Sequence, residues 1–160
     1  MRVREIMTGA LITVRPDTPV LDARHLMLQR RIRHLLVTSE SGELMGIVTD
    51  RDIRLNLPSQ ATSLSVWEIN HLLTRLTVNT VMTGSVITLG PDREARDAAQ
   101  LMLDHQIGAL PVMDDGHLVG IVTETDLLRA FVRAADHIAR LRSPEAERRG
   151  LGPRGGGAFV

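Results

Sequence analysis

The chain of 160 residues contains no cysteine, no lysine and no tyrosine, and each absence closes off a class of chemistry. Without cysteine there is no disulfide, no thiolate nucleophile and no cysteine-built zinc site, a composition that suits a reducing compartment. Without lysine there is no Schiff base and no Walker A lysine, and all 19 basic residues are arginine. A site for phosphate must then be assembled from guanidinium groups, backbone N–H groups and hydroxyls. Aromatic residues make up only 2%, namely Trp67, Phe131 and Phe159, so a planar ligand would have to lie between aliphatic side chains. An excess of charge is missing as well. The 19 acidic residues balance the basic ones, and no global field gathers nucleic acid or an anionic membrane. No apolar stretch approaches the roughly 18 residues that span a bilayer, and Met1-Arg2-Val3-Arg4-Glu5 lacks the apolar run of a signal peptide. A cytoplasmic protein is expected.

What is present is a hydrophobic fraction of 43%, enough for a packed core, and an internal repeat. Val3–Thr38 laid on Val78–Met113 without a gap gives 16 identities in 36 positions, and Gly42–Ile53 laid on Gly116–Leu127 gives 7 in 12. One residue is lost between the two blocks, at a turn. A period of 75 residues exceeds that of solenoid repeats, which run to about 50, so each copy reads as a small α/β unit.

Within the first copy, Leu11–Val14 reads as a strand, and Pro16-Asp17-Thr18-Pro19 reads as a helix start with Thr18 as N-cap. Val20, Ala23 and Met27 recur at helical spacing, and the helix is expected to end near Arg31. Leu35–Thr38 and Leu44–Thr49 form a hairpin around Ser39-Glu40-Ser41-Gly42, and a second helix follows from Asp50. The second copy repeats the order at Val86–Leu89, Asp92–His105, Leu110–Met113, Leu118–Thr123 and Glu124 onward. The fold class is therefore α+β, two β-α-β-β-α motifs related by a pseudo-twofold axis and packed as one module.

The expected divisions are 1–56 for the first unit, 57–77 for a helical linker, 78–142 for the second unit and 143–160 for a disordered tail. In the linker, Ser65 followed three residues later by Glu68 is the pattern of a capping box, and Val66, Ile69, Leu73 and Leu76 follow at helical spacing. The last helix runs on through Phe131, Ala135, Ile138 and Leu141, longer than its counterpart. Beyond Ser143 the composition turns to Pro, Glu, Arg and Gly, which cannot build a core.

Three motifs carry a resemblance: Met7-Thr8, Arg31-Ile32-Arg33-His34-Leu35-Leu36-Val37, and Gly46-Ile47-Val48-Thr49-Asp50-Arg51-Asp52. The second copy answers with Ile107-Gly108-Ala109-Leu110-Pro111-Val112 and Gly120-Ile121-Val122-Thr123-Glu124-Thr125-Asp126. The sequence from Val3 to Leu128 resembles a tandem pair of CBS (cystathionine-β-synthase-type) domains, known as a Bateman module. The stretch Ser63-Leu64-Ser65-Val66-Trp67-Glu68-Ile69-Asn70 resembles the acetoin-utilisation B-type subset of that family, some members of which add an ACT domain that has no counterpart here. The resemblance implies a regulatory module that commonly dimerises into a disc. It also implies AMP, ADP, ATP or another adenosyl ligand held in clefts between the copies, with no further cofactor and an unidentified regulated protein as partner.

Thr49-x-x-Asp52 and Thr123-x-x-Asp126 each sit where an apolar strand turns into a helix. Two readings stay open: a helix-capping box, or a ligand site in which the short carboxylate accepts two ribose hydroxyls and the Thr hydroxyl faces a phosphate. Arg33 and His34 precede a buried strand and are candidates for phosphate contact, while their counterparts are Gly108 and Ala109. Ile12, Thr13, Ile87 and Thr88, with Leu36 and Pro111 nearby, are candidates to sandwich the base. No catalytic constellation is present: the six His residues show no metal-ligand spacing, and no Ser lies in a Gly-x-Ser-x-Gly elbow. A binding module, not an enzyme, is expected, with two non-equivalent clefts.

Overall fold

The computed structural model describes residues 1–58 and 63–141; the tail expected beyond Ser143 lies outside them. The first copy supplies β1 (Thr13–Val14), α1 (Val20–Arg30), β2 (His34–Thr38), β3 (Leu44–Thr49) and α2 (Asp50–Asn56). Then come α3 (Val66–Arg75) and the short α4 (Val78–Val81). The second copy supplies α5 (Ala95–His105), β4 (Ala109–Asp114), β5 (His117–Thr123) and α6 (Glu124–Leu141). Among the described residues no helix is long and apolar enough to cross a membrane.

In the first copy β1 runs parallel to β2, and β2 pairs antiparallel with β3. In the second, β4 and β5 form the equivalent hairpin, but the expected strand at Val86–Leu89 shrinks to a single parallel bridge between Leu89 and Val112. Pro111 stands where the first copy has Leu36, and having no N–H it cannot donate to the neighbouring strand. The β4–β5 turn takes Asp115 and Gly116 at positive φ (46° and 79°), the two-residue hairpin geometry that matches strand twist. The first hairpin needs one residue more, which accounts for the break between the two aligned blocks.

Helix α1 begins one residue later than the sequence suggests. Pro19 is its N-cap and makes no side-chain cap, while the Thr18 hydroxyl accepts from the Arg15 N–H at 3.1 Å. Helices α1 and α5 end alike, on a non-glycine residue in the left-handed region, Arg31 and Gln106, both at φ 54°. For each, the N–H of the following isoleucine donates back to a methionine carbonyl at 3.0 Å. That closes the helix at a backbone cost of about 1 kcal/mol per left-handed residue.

The two copies exchange their opening segments. Thr8 trades a pair of backbone hydrogen bonds with Ile121 of β5 (2.9 and 3.0 Å), and Thr83 does the same with Ile47 of β3 (2.9 and 3.0 Å). The core around α1, β2, β3 and Ile53 is completed by Val78 and Val81, whereas the core around α5, β4 and β5 is completed by Val3. Val3 and Val78 are fully buried, and each such burial is worth about 1.5–3 kcal/mol. Gly46 and Gly120 sit where the exchanged segments cross. A Cβ at Gly46 would lie 2.7 Å from the Met82 sulfur, and one at Gly120 would lie 2.6 Å from the Met7 sulfur. The reciprocity is the pseudo-twofold relation expressed in hydrogen bonds and cores.

Helix α3 is built differently. Ser65 and Glu68 form the expected capping box: the Ser65 N–H and hydroxyl donate to Glu68 Oε2 (2.8 and 2.6 Å), and the Glu68 N–H donates back to Ser65 Oγ (3.3 Å). Yet the helix buries no residue, and Val66 and Trp67 are among the most exposed apolar side chains.

Candidate functional site

Two clefts lie between the copies, each joining the strand-to-helix junction of one copy to the opening segment of the other. The smaller, about 270 Å³, brings Ala10, Leu11 and Ile12 against Thr123, Thr125 and Asp126. The larger, about 510 Å³, brings Ser85, Val86 and Ile87 against Thr49, Arg51 and Asp52. The segment exchange makes this geometry, because the loop leading out of each exchanged bridge is delivered to the far copy's helix start. Drug-sized ligands occupy clefts of about 300–1,000 Å³, a range that includes the larger cleft.

At both junctions the capping box is made. Thr49 donates its N–H and hydroxyl to Asp52 Oδ2 (2.8 and 2.6 Å), and the Asp52 N–H donates to Thr49 Oγ1 (3.0 Å). Thr123 and Asp126 repeat it at 2.9, 2.7 and 3.4 Å. One carboxylate oxygen is thereby committed in each copy, and Oδ1 is the atom left for a ligand hydroxyl. Asp126 Oδ1 lies 3.6 Å from Arg129, whereas the counterpart of Arg129 in the first copy is Leu55, which carries no charge.

Arg33, His34, Gly108 and Glu124 line both clefts. His34 opens β2 and is half-buried, while Arg33 is exposed. Burial, and next the Arg33 cation, hold the His34 imidazole below its ordinary value of 6.5, opposed by Glu124 and Asp52. His34 is therefore neutral at neutral pH, and an arriving anion would favour its protonation. The cations in the larger cleft are Arg33, Arg51 and Arg54, the last held by Asp50 at 2.8 Å. Those in the smaller are Arg31, Arg33 and Arg129.

Of the residues singled out by sequence, Ile12, Thr123 and Asp126 meet in the smaller cleft, and Ile87, Thr49 and Asp52 in the larger, with Arg33 and His34 facing both. Thr13, Thr88 and Pro111 line neither cleft; Thr13 pairs with Leu36 along β1, and Pro111 is buried in β4. Sequence reasoning missed Glu124 at the seam between the clefts and the pair Arg31 and Gln106. A helix end without glycine or asparagine was the available signal for that pair.

The protein-family model for the CBS domain matches the chain twice, over residues 3–59 and 78–133. Among solved structures, the CBS domain pair of protein MJ0100, in complex with 5′-methylthioadenosine and S-adenosyl-L-methionine, superposes with a TM-score of 0.68 at 29% identity. It covers 82% of this chain and 99% of that one. CBSX2 in complex with AMP gives 0.68 at 32% identity, covering 82% and 97%. A Vibrio cholerae protein named for acetoin utilisation (AcuB) gives 0.67 at 28% identity, covering 96% of this chain and 98% of that one.

Proposed function

The chain belongs to the CBS domain family as a tandem pair, and from that premise we propose that it is a regulatory module that binds an adenine nucleotide or other adenosyl ligand between its copies. CBS pairs are in general regulatory, and relatives at this similarity hold S-adenosylmethionine, methylthioadenosine or AMP. The observation that carries the reading is the polarity of the larger cleft. Its lining combines Ile47, Val86 and Ile87, an aliphatic bed for a base, with Arg33 and Arg51 for phosphate. Asp52 lines the same cleft, with Oδ1 for a ribose hydroxyl. The smaller cleft has the same plan in Ile12, Thr123 and Asp126, at about half the volume, and there the 18-residue α6 points its N-terminus at the ligand. Binding across two copies favours one arrangement of the pair, and that difference in affinity is what a partner protein reads.

Two copies of the chain meet through the apolar side chains left exposed on the helical faces, Leu28 and Leu55 in one copy, Leu103, Leu128 and Phe131 in the other, forming a homodimeric disc. The setting is cytoplasmic, with neither nucleic acid nor membrane as partner. Calorimetry with AMP, ATP and S-adenosylmethionine tests the reading. Saturable binding that Asp52→Ala and Asp126→Ala remove supports it, and no binding by any adenosyl compound refutes it.

A ligand-independent adaptor is the alternative, favoured by the exposed apolar side chains of α3 and α6, Trp67, Leu72, Phe131 and Ile138 among them. Partner capture and oligomeric state unchanged by nucleotide, and by the double Asp substitution, would establish it instead.

A further inference from the structure

Resting on the adenosyl reading, we infer that Gln106 reads the 6-amino edge of the base in the larger cleft, and that the smaller cleft, with Arg31 at the equivalent position, lacks that discrimination. Each of these residues ends a helix in the left-handed region, Arg31 at φ 54° and ψ 41°, Gln106 at φ 54° and ψ 42°. Glycine or asparagine would end the helix there at little backbone cost. Two other residues at one repeat-related position therefore hold a strain that the fold does not need, and such strain collects where a side chain serves a ligand. Both residues line a cleft, Arg31 the smaller and Gln106 the larger.

The Gln106 carboxamide is free. Gln29 bonds His25 at 2.9 Å and Gln100 bonds Asp104 at 2.7 Å, each across one helical turn, whereas the Gln106 side chain makes no hydrogen bond among the described residues. It is also the one carboxamide among the residues lining either cleft. Adenine sets its 6-amino donor beside a ring-nitrogen acceptor, N7 on one edge and N1 on the other. A carboxamide matches that pair, since its oxygen accepts the amino N–H while its own N–H donates to the ring. No other side chain of the larger cleft makes both bonds from one planar group. The arginines only donate, the carboxylates only accept, a hydroxyl offers a single atom, and the two nitrogens of His34 point away from each other. Arg31 has donors and no acceptor, so it cannot take the amino N–H.

The test is calorimetry with AMP and with purine riboside 5′-monophosphate, which lacks the 6-amino group. It uses the full chain carrying Asp126→Ala, which leaves the larger cleft, or Asp52→Ala, which leaves the smaller. The larger cleft should prefer AMP by about tenfold or more, the worth of a two-bond base contact, and the smaller by no more than about twofold. Adding Gln106→Leu, which keeps the bulk and the left-handed backbone without the amide, should bring the larger cleft's preference below about twofold. Gln106→Gly should do the same while raising Tm by about 2–4 °C, because glycine relieves the backbone. Gln106 is exposed, so both substitutions leave the cores intact. A preference that survives both substitutions, or that is equal in the two clefts, overturns the inference and leaves the adenosyl reading standing. So does a preference lost in Gln106→Gly but kept in Gln106→Leu, which would assign it to the backbone. Binding of neither nucleotide overturns the inference, and if S-adenosylmethionine fails as well the adenosyl reading goes with it.

Discussion

Replacing either crossing glycine by alanine separates two kinds of close contact that look alike by distance. A methyl group at Gly46 would meet the Met82 sulfur at 2.7 Å and the Thr83 carbonyl oxygen at 2.8 Å; at Gly120 it would meet the Met7 sulfur at 2.6 Å, but the Thr8 carbonyl only at 3.3 Å. Comfortable carbon contacts lie at about 3.5–4.0 Å. A methionine side chain can swing aside, since it has three rotatable bonds and no branch. The Thr83 carbonyl cannot, because it accepts the Ile47 N–H at 3.0 Å in the bridge that holds the exchanged segment. Neither glycine has positive φ, so alanine also gains about 0.4–1 kcal/mol by restricting the unfolded chain. Overpacking against a fixed carbonyl costs about 2–3 kcal/mol, which leaves Gly46→Ala destabilised by about 1–2.6 kcal/mol. Gly120→Ala comes out near zero once Met7 moves. At about 2–4 °C per kcal/mol for a chain of this size, Gly46→Ala should lower Tm by about 2–10 °C, and by more than Gly120→Ala, which should lower it by no more than about 2 °C. Scanning calorimetry of both variants, with urea midpoints as a second measure, decides the matter. Equal losses, or the reverse order, would refute the claim that the backbone carbonyl and not the sulfur sets the cost. A Met82→Ala change that rescues Gly46→Ala would refute it too.

His34 gives a pH prediction with a definite sign. Its pKa is depressed on folding, so the unfolded chain binds a proton near 6.5 when the folded chain does not. The stability tied to neutral His34 is complete above 6.5 and falls as pH drops below it towards the lowered folded value; urea titrations on either side of 6.5 should show a slope that His34→Gln removes, and an unchanged slope would count against the burial. Arg31→Gly should stabilise the protein by about 1 kcal/mol by relieving the left-handed backbone, while weakening ligand binding in the smaller cleft, as followed by thermal unfolding and calorimetry. Ser65→Ala removes a cap worth about 0.5–2 kcal/mol from a helix that buries nothing, so α3 should fray on its own. Trp67 fluorescence, sensitive to its stacking on His71 at 5.5 Å between ring centres, should change while the global Tm holds.

Most of the secondary structure was legible because it is local. Hydrophobic spacing marked α1 and α5, and the Ser65 and Glu68 pair marked α3. Of the base candidates Ile12 and Ile87 line the clefts while Thr13 and Thr88 do not, and the sequence could not separate them, because Ile12, Ile87 and Thr88 lie outside the regular strands whose alternation would assign faces. The partners of an opening segment were beyond local reasoning. Val3 and Val78 carry the same pattern whether they pack on their own copy or on the other, and nothing in Met7-Thr8-Gly9 says which strand Thr8 will join. The asymmetry of the seam could be read, from Arg33-His34 against Gly108-Ala109, but not that Glu124 would stand opposite.

The exchange of opening segments also orders events in time. Thr8 leaves the ribosome well before Ile121, the residue of β5 that it bonds. The first core thus waits for Val78 and Val81 of the second copy, and a nascent chain carrying only the first copy holds an apolar opening segment with no partner. Such non-local closure slows folding and exposes hydrophobic surface while it lasts. It also means that a chain cut between the copies yields two incomplete cores, able to regain their shape only by finding each other.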